Sequence, residues 1–243
     1  MSILVIGESC LDVFKYGVCN RLCPEAPVPV FNPVNETVNG GMAYNVYNNL
    51  LSLKVPTEIQ TNLNYENITK TRYIDSKANY MFMRLDENDD QYPACSVDTI
   101  NFSLYEAIVI SDYNKGFLTT EDIERIGDSH PLVFLDTKKI LGDWCSSVTY
   151  IKINEDEYKK TQHTLEEELL EKLIITMGSK GSRHLGVTYP VPRVEIKDTS
   201  GAGDTFVASL VCEYVKSRDI EMAICFANKN ATKVVQKKGV AVI

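Results

Sequence analysis

The run Lys197-Asp198-Thr199-Ser200-Gly201-Ala202-Gly203-Asp204-Thr205-Phe206 carries the most concentrated chemical signal in the chain. Its small residues let the backbone approach a ligand closely. Phe206, Val207, Leu210, Val211, Tyr214 and Val215 then recur at helical spacing, so a helix begins here. A helix start leaves its first amide N–H groups without partners, and such a turn binds anions. Asp204 falls in that turn. A carboxylate there favours the helix through its dipole. A functional reading makes it a general base, taking a proton from a hydroxyl while the amides of the turn hold the phosphoryl group under attack. The segment is not a Walker A loop, because G-x-x-x-x-G-K-S/T is absent, and it lacks the third glycine of a dinucleotide fingerprint.

The elements that must position this turn are legible from apolar patterning. Four short apolar runs, at 107–110, 132–135, 150–153 and 173–176, alternate with helical segments, one of them starting near Thr119. That alternation predicts βα units feeding a parallel sheet, and the run at 3–6 adds another buried strand. Asp112, Asp136, Asn154 and Thr176 stand at or just after these runs, where ligands bind beyond the carboxyl ends of the strands. Each alone serves equally as a helix cap, whereas four together point to a site. Gly40-Gly41 is predicted to open a helix reaching about residue 53. Residues 21–30 hold three prolines and read as an extended edge segment, and 71–75 with 80–85 read as two antiparallel strands. A last helix carries Ile220, Ala223, Ile224, Ala227, Ala231, Val234 and Val235.

Composition narrows the partners. The 243 residues hold 25 Lys and Arg against 33 Asp and Glu, a formal net charge of -8, which argues against nucleic acid or anionic membrane as a ligand. Seven scattered cysteines form no C-x-x-C pair, so they are expected to be reduced, and no zinc or disulfide framework is expected. The first residues show no basic-then-apolar leader, and no stretch is long enough to span a membrane. The expected setting is cytoplasmic.

Three segments in order resemble the signatures of the ribokinase-like (PfkB) carbohydrate kinases: Gly40-Gly41-Met42-Ala43-Tyr44-Asn45, Asn154-Glu155-Asp156-Glu157, and Asp198 through Phe206. Further likeness, in Gly7 through Asp12, Arg21 through Val30, Lys70-Thr71-Arg72, Arg84-Leu85-Asp86 and Ser111 through Gly116, is to the branch that phosphorylates a heptose 7-phosphate. The resemblance implies a single α/β domain over 1–243, with a ribokinase-like three-layer fold, a mostly parallel central sheet and a small β lid at about 8–35 and 70–86. It implies ATP with Mg²⁺, and a sugar or sugar phosphate as acceptor. Asp204 is then the base, and Gly201, Ala202 and Gly203 the anion hole. Asn154 and Glu157 would hold the metal through water. Asp12, Gly41 and Asn45 are implied as sugar contacts, with Arg21, Lys70, Arg72 and Arg84 pairing a substrate phosphate. Thr176, Gly178, Gly181 and Asn228 are implied around the nucleotide, and the lid as the seat of a homodimer. One βα unit usual in the family is missing between residues 54 and 69. That leaves two alternatives, a nucleoside or unphosphorylated-sugar kinase, and a binding module without turnover.

Overall fold

The computed structural model describes residues 2–163 and 165–243. Two sheets account for the strands. The larger has eight, and its central part consists of the predicted apolar runs: β1 (Ser2–Gly7), β7 (Tyr105–Asp112), β8 (Val133–Thr137), β9 (Tyr150–Asn154) and β10 (Leu173–Thr176). These are parallel neighbours. β4 (Thr57–Gln60) pairs with β1 at one edge, and the short antiparallel β11 (Ser182–His184) and β12 (Val187–Tyr189) close the other. Both faces of the sheet are covered, which is why these strands are apolar throughout rather than alternating.

One face packs against α2 (Thr120–Ser129), α3 (Glu155–Thr161) and α4 (Glu167–Lys172), over Leu4, Ile6, Ile108, Ile110, Val133, Leu135, Ile151 and Ile153. The other packs Ile3, Val5, Ala107, Val109, Phe134 and Ile174 against α1 (Ala43–Ser52), α5 (Ala202–Ser217) and α6 (Ile220–Val234). Thr119 caps α2 through a reciprocal box with Asp122. Among the described residues no helix is long and apolar enough to cross a membrane.

The smaller sheet is the lid, in the order β3-β2-β5-β6, with β2 (Ser9–Leu22), β3 (Pro29–Met42), β5 (Thr69–Asp75) and β6 (Met81–Glu87). The chain leaves the main sheet for the lid at one residue, Glu8, between Gly7 and Ser9. Two expectations need correction here. Gly40-Gly41 does not open a helix: both glycines lie in β3, which runs to Met42, and α1 begins at Ala43. Tight packing explains this, since a Cβ on Gly40 would overlap the Tyr44 ring and one on Gly41 the Asp12 carboxylate. The lid also extends further than expected, because β3 continues to Met42.

The stretch expected to lack a βα unit still supplies the edge strand β4. It then returns to the lid through Thr61 and Asn62, which are stitched to the β1–β2 junction. Thr61 Oγ1 donates to the Gly7 carbonyl at 2.7 Å, and Asn62 Oδ1 accepts the Ser9 amide at 2.8 Å.

Gly7 faces Ser111 across the β1–β7 pair, where a Cβ would overlap the Ser111 carbonyl. Gly7→Ala is therefore expected to destabilise the fold by about 2 kcal/mol or more. Urea denaturation checks this, and an unchanged midpoint would contradict the close approach.

Candidate active site

Register across the main sheet builds the site floor. Side chains on alternate residues share a face, so Gly7 follows Ile3 and Val5, and Ser111 follows Ala107 and Val109. In the same way Asp136 follows Phe134, Lys152 follows Tyr150 and Thr176 follows Ile174. All of these look toward the α5–α6 layer. Gly7, Ser111, Asp136 and Lys152 are successive partners across four strands. The apolar face thus turns small or polar in one row, at the carboxyl ends of the strands, where α5 begins.

Asp112 does not belong to that row. It ends β7 on the opposite face, where it accepts from Thr137 Oγ1 and, at 2.6 Å, from Lys139 Nζ. Its expected place in the site is corrected: strand alternation points it at the other layer, and it ties loops there.

Gly201, in the left-handed region at φ 77°, is the N-cap of α5, so Asp204 is its third residue. Asp204 is buried. Asn45 Nδ2 donates to its Oδ2 at 2.7 Å and Tyr113 Oη donates to its Oδ1 at 2.8 Å. Burial raises its pKa to about 6, and the charge of Asp136 adds to this; the hydrogen bonds from Asn45 and Tyr113 and the charge of Lys152 act in the other direction. Asn45 is fixed in turn by Asn49, whose Nδ2 donates to its carbonyl, while Thr205 Oγ1 donates to Asn49 Oδ1. Burial and the neighbouring Asp204 charge raise the Tyr113 phenol well above its ordinary range, so it stays a donor.

Beside this start lies a buried ion pair that patterning alone did not single out. Lys152 Nζ donates to Asp136 Oδ2 at 3.0 Å, and the ammonium lies 3.0 Å from where a Cβ on Gly203 would stand. The signal was present, since lysine interrupts the apolar run Tyr150-Ile151-Lys152-Ile153. Asp136 Oδ1 is buried without a hydrogen-bond partner among the described residues. An acceptor left open this close to a helix start fits the water shell of a hard cation.

Asn154 and Glu157 form a capping box at α3. Asn154 Oδ1 accepts the amides of Asp156 and Glu157, and Glu157 Oε2 accepts the Asn154 amide at 2.7 Å. Glu157 Oε1 pairs with Lys138 Nζ.

A cavity of about 490 Å³ opens from the other side of the α5 start, a volume suited to a small ligand. Thr176, Gly178, Gly181 and Asn228 line it, together with Ala202 and Gly203. Apolar side chains, among them Val194, Ile196 and Val235, supply much of its wall.

On the lid side Arg72 donates to Asp12 Oδ1, and Gly41 packs on that same carboxylate. Lys70, nearly buried, and Lys115 both bond Asp89, which lies just past β6; Lys115 does so at 2.5 Å. Burial works against the charge on Asp89, yet donors from Lys115, Lys70 and Tyr92 hold its pKa down at about 2. Arg84 is exposed and pairs with Asp86 at 2.7 Å. Arg21 is not brought to this cluster. It lies exposed near the far end of β2, nine strand residues or about 30 Å from Asp12.

A scan against protein families matches residues 136–242 to the pfkB family of carbohydrate kinases. The bifunctional protein HldE of a Nitratiruptor species is 30% identical over 289 aligned positions, covering 98% of this chain and 62% of that protein. The chain is similar to the pfkB carbohydrate kinases. It spans less than two thirds of the length of such relatives. The 289 positions against 243 residues mean that at least 46 of them have no counterpart here, which agrees with a shortened pfkB domain.

The fold agrees with solved ribokinase-like structures. A nucleoside kinase of Methanocaldococcus jannaschii superposes with a TM-score of 0.72 at 19% identity, covering 99% of this chain and 93% of that one. For a Thermotoga maritima ribokinase the TM-score is 0.69 at 16% identity, with 98% and 94% covered.

The Lys152–Asp136 pair yields a test. Lys152→Met leaves a buried carboxylate without its partner and is expected to cost about 3–5 kcal/mol. Chemical denaturation reads this directly. A loss below about 1 kcal/mol would show that the pair is not closed off from water.

Proposed function

We propose that this chain is a pfkB-type kinase that transfers the γ-phosphoryl group of ATP to a hydroxyl of a sugar or sugar phosphate, a heptose 7-phosphate being the acceptor class favoured. One observation carries the reading. The start of α5 stands between the 490 Å³ cavity, which Ala202 and Gly203 help to line, and a buried polar cluster in which Asp204 meets Asn45 and Tyr113 beside the lid. A nucleotide in the cavity would direct its terminal phosphate at the amides of Gly201, Ala202 and Gly203. Asp204 is then on hand to accept the proton of an acceptor hydroxyl, and Lys152 to balance charge as it grows on the phosphoryl oxygens.

Bound Mg²⁺ would supply positive charge to the phosphates, with Asn154, Glu157 and the open Asp136 oxygen accepting from its waters. Asp12, Gly41 and Asn45 form the wall available to a polyol. Lys70, Arg72 and Arg84, joined by Lys115, are the cations available to a substrate phosphate, and Arg21 stands too far off to share it. An ATP-dependent reading sets the chain in the cytoplasm, in keeping with its seven unpaired cysteines.

A second reading, with an unphosphorylated sugar or nucleoside as acceptor, draws on a specific observation. Each of those four cations already holds an aspartate, namely Asp12, Asp86 or Asp89.

ADP release over a panel of heptose and hexose phosphates, plain sugars and nucleosides separates the readings. Turnover is expected to favour the phosphorylated sugars, and preference for unphosphorylated ones selects the second reading. Asp204→Asn is expected to lower turnover by about 10²–10⁴. The base works ionised, so wild-type activity should fall as pH drops through about 6. Equal turnover by the variant contradicts the role given to Asp204, and binding without ADP release from any acceptor leaves a non-catalytic module.

The lid also suits a homodimer. Met83 and Leu85 alternate along β6, so they share the face opposite Arg84, and both are exposed. Sedimentation is expected to show a two-chain species that Met83→Glu dissociates. A monomeric wild type would exclude it.

A further inference from the structure

We propose that Tyr113, anchored through Glu8, is the positioning residue that sets the orientation and basicity of Asp204. The inference rests on the reading of Asp204 as the base given above.

Tyr113 lies in the loop that follows β7, a segment without secondary structure of its own, and its ring is packed against Cys10, Met42, Ile68 and Tyr92. Its hydroxyl meets Asp204 Oδ1 while Asn45 holds Oδ2, so the carboxylate is gripped at both oxygens by neutral donors from separate elements. A carboxylate so held has one rotamer. Its remaining lone pairs are the ones left for a substrate hydroxyl.

A loop residue performs this task only if the loop is fixed, and Glu8 fixes it. Glu8 is fully buried at the junction of the two sheets. Its Oε2 accepts the Tyr113 amide at 2.8 Å and its Oε1 accepts the Lys115 amide at 2.9 Å. Asp112 Oδ1 takes the amide between them, that of Asn114, whose φ of 57° makes the turn. Burial and then the charge of Asp112 raise the pKa of Glu8, while the two amides oppose the rise. Among the described residues no basic side chain pairs with it, and such a buried carboxylate is costly unless its amide bonds are needed.

The same loop reaches the lid through Lys115, which bonds Asp89. Thus the residue at the β1–β2 hinge, the lid carboxylate and the base are joined through three consecutive residues.

Other groups act on Asp204 as well. Asp136 on β8 raises its pKa, Lys152 on β9 lowers it, and Lys138 after β8 responds to its charge. All of them are untouched by removal of one phenolic oxygen, so Tyr113→Phe isolates the tyrosine contribution.

The test is titration of the Asp204 carboxyl by ¹³C NMR in protein labelled at aspartate Cγ, with the resonance assigned through Asp204→Asn. Loss of a donor to the charged form moves the midpoint upward, by about half to one unit in Tyr113→Phe. Glu8→Gln, which keeps the side-chain shape but loses one of the two amide acceptors, should move it in the same direction and by less. In turnover, Tyr113→Phe should shift the acid limb of the kcat profile by the same amount, so that it loses several-fold more activity at pH 6 than at pH 8. A midpoint unmoved or lowered in folded Tyr113→Phe overturns the proposal, as does an equal loss of activity at every pH. The titration needs no acceptor, so its result is independent of whether the panel above yields turnover.

Discussion

A carboxylate has to remain ionisable in a place from which water is nearly excluded, and the rest of this structure is arranged around that constraint. Asp204 stands in the first turn of α5, where the helix dipole and unpaired amides favour negative charge. Burial acts against it and raises its pKa to about 6 from 3.8, roughly 3 kcal/mol against the charged form. The folded protein therefore binds this proton more tightly than the unfolded chain does, and stability is given up as pH rises from about 4 to about 6. Asn45, Tyr113 and Lys152 keep the cost from being larger. They arrive from α1, from the loop after β7 and from β9, so three parts of the chain must be in place before one side chain is ready.

The lid presents a different solution to a similar difficulty. Lys70, Arg72, Arg84 and Lys115 stand in or beside the lid, and without anions they would repel one another. Asp12, Asp86 and Asp89 hold them apart and in place. Under the proposed function, a phosphate on the acceptor would compete with these aspartates for the same donors, and acceptor affinity would depend on how readily the pairs exchange. Within these pairs Arg72 joins β5 to β2, while Lys115 ties the loop after β7 to Asp89 just past β6.

Much of the fold was legible because buried parallel strands write themselves as short apolar runs, and each run from β7 to β10 fell within a residue or two of its observed place. The start of α5 was equally plain, since small residues followed by an apolar stripe have few other uses. The Gly40-Gly41 pair misled because glycine marks close approach as readily as it marks a helix entrance; only packing against Tyr44 and Asp12 distinguishes the two. Arg21 and Asp112 misled for a geometric reason. Closeness in a motif says nothing about 30 Å of extended strand, nor about which face a strand residue takes. Lys152 was visible as a charge inside an apolar run, but its partner Asp136 lies on a neighbouring strand, and pairing of that kind belongs to register. Glu8 and Tyr113 gave no periodic signal at all, because hinge and loop residues act through backbone amides and single hydroxyls.

The central claim is that the start of α5 faces a transferable phosphoryl group on one side and an acceptor on the other. A crystal structure with a non-hydrolysable ATP analogue tests it most directly. The account predicts the base and ribose in the cavity lined by Thr176, Gly178, Gly181 and Asn228, with the terminal phosphate on the amides of Gly201 to Gly203 and within reach of Lys152. A nucleotide bound elsewhere, or with its phosphates directed away from α5, would contradict it.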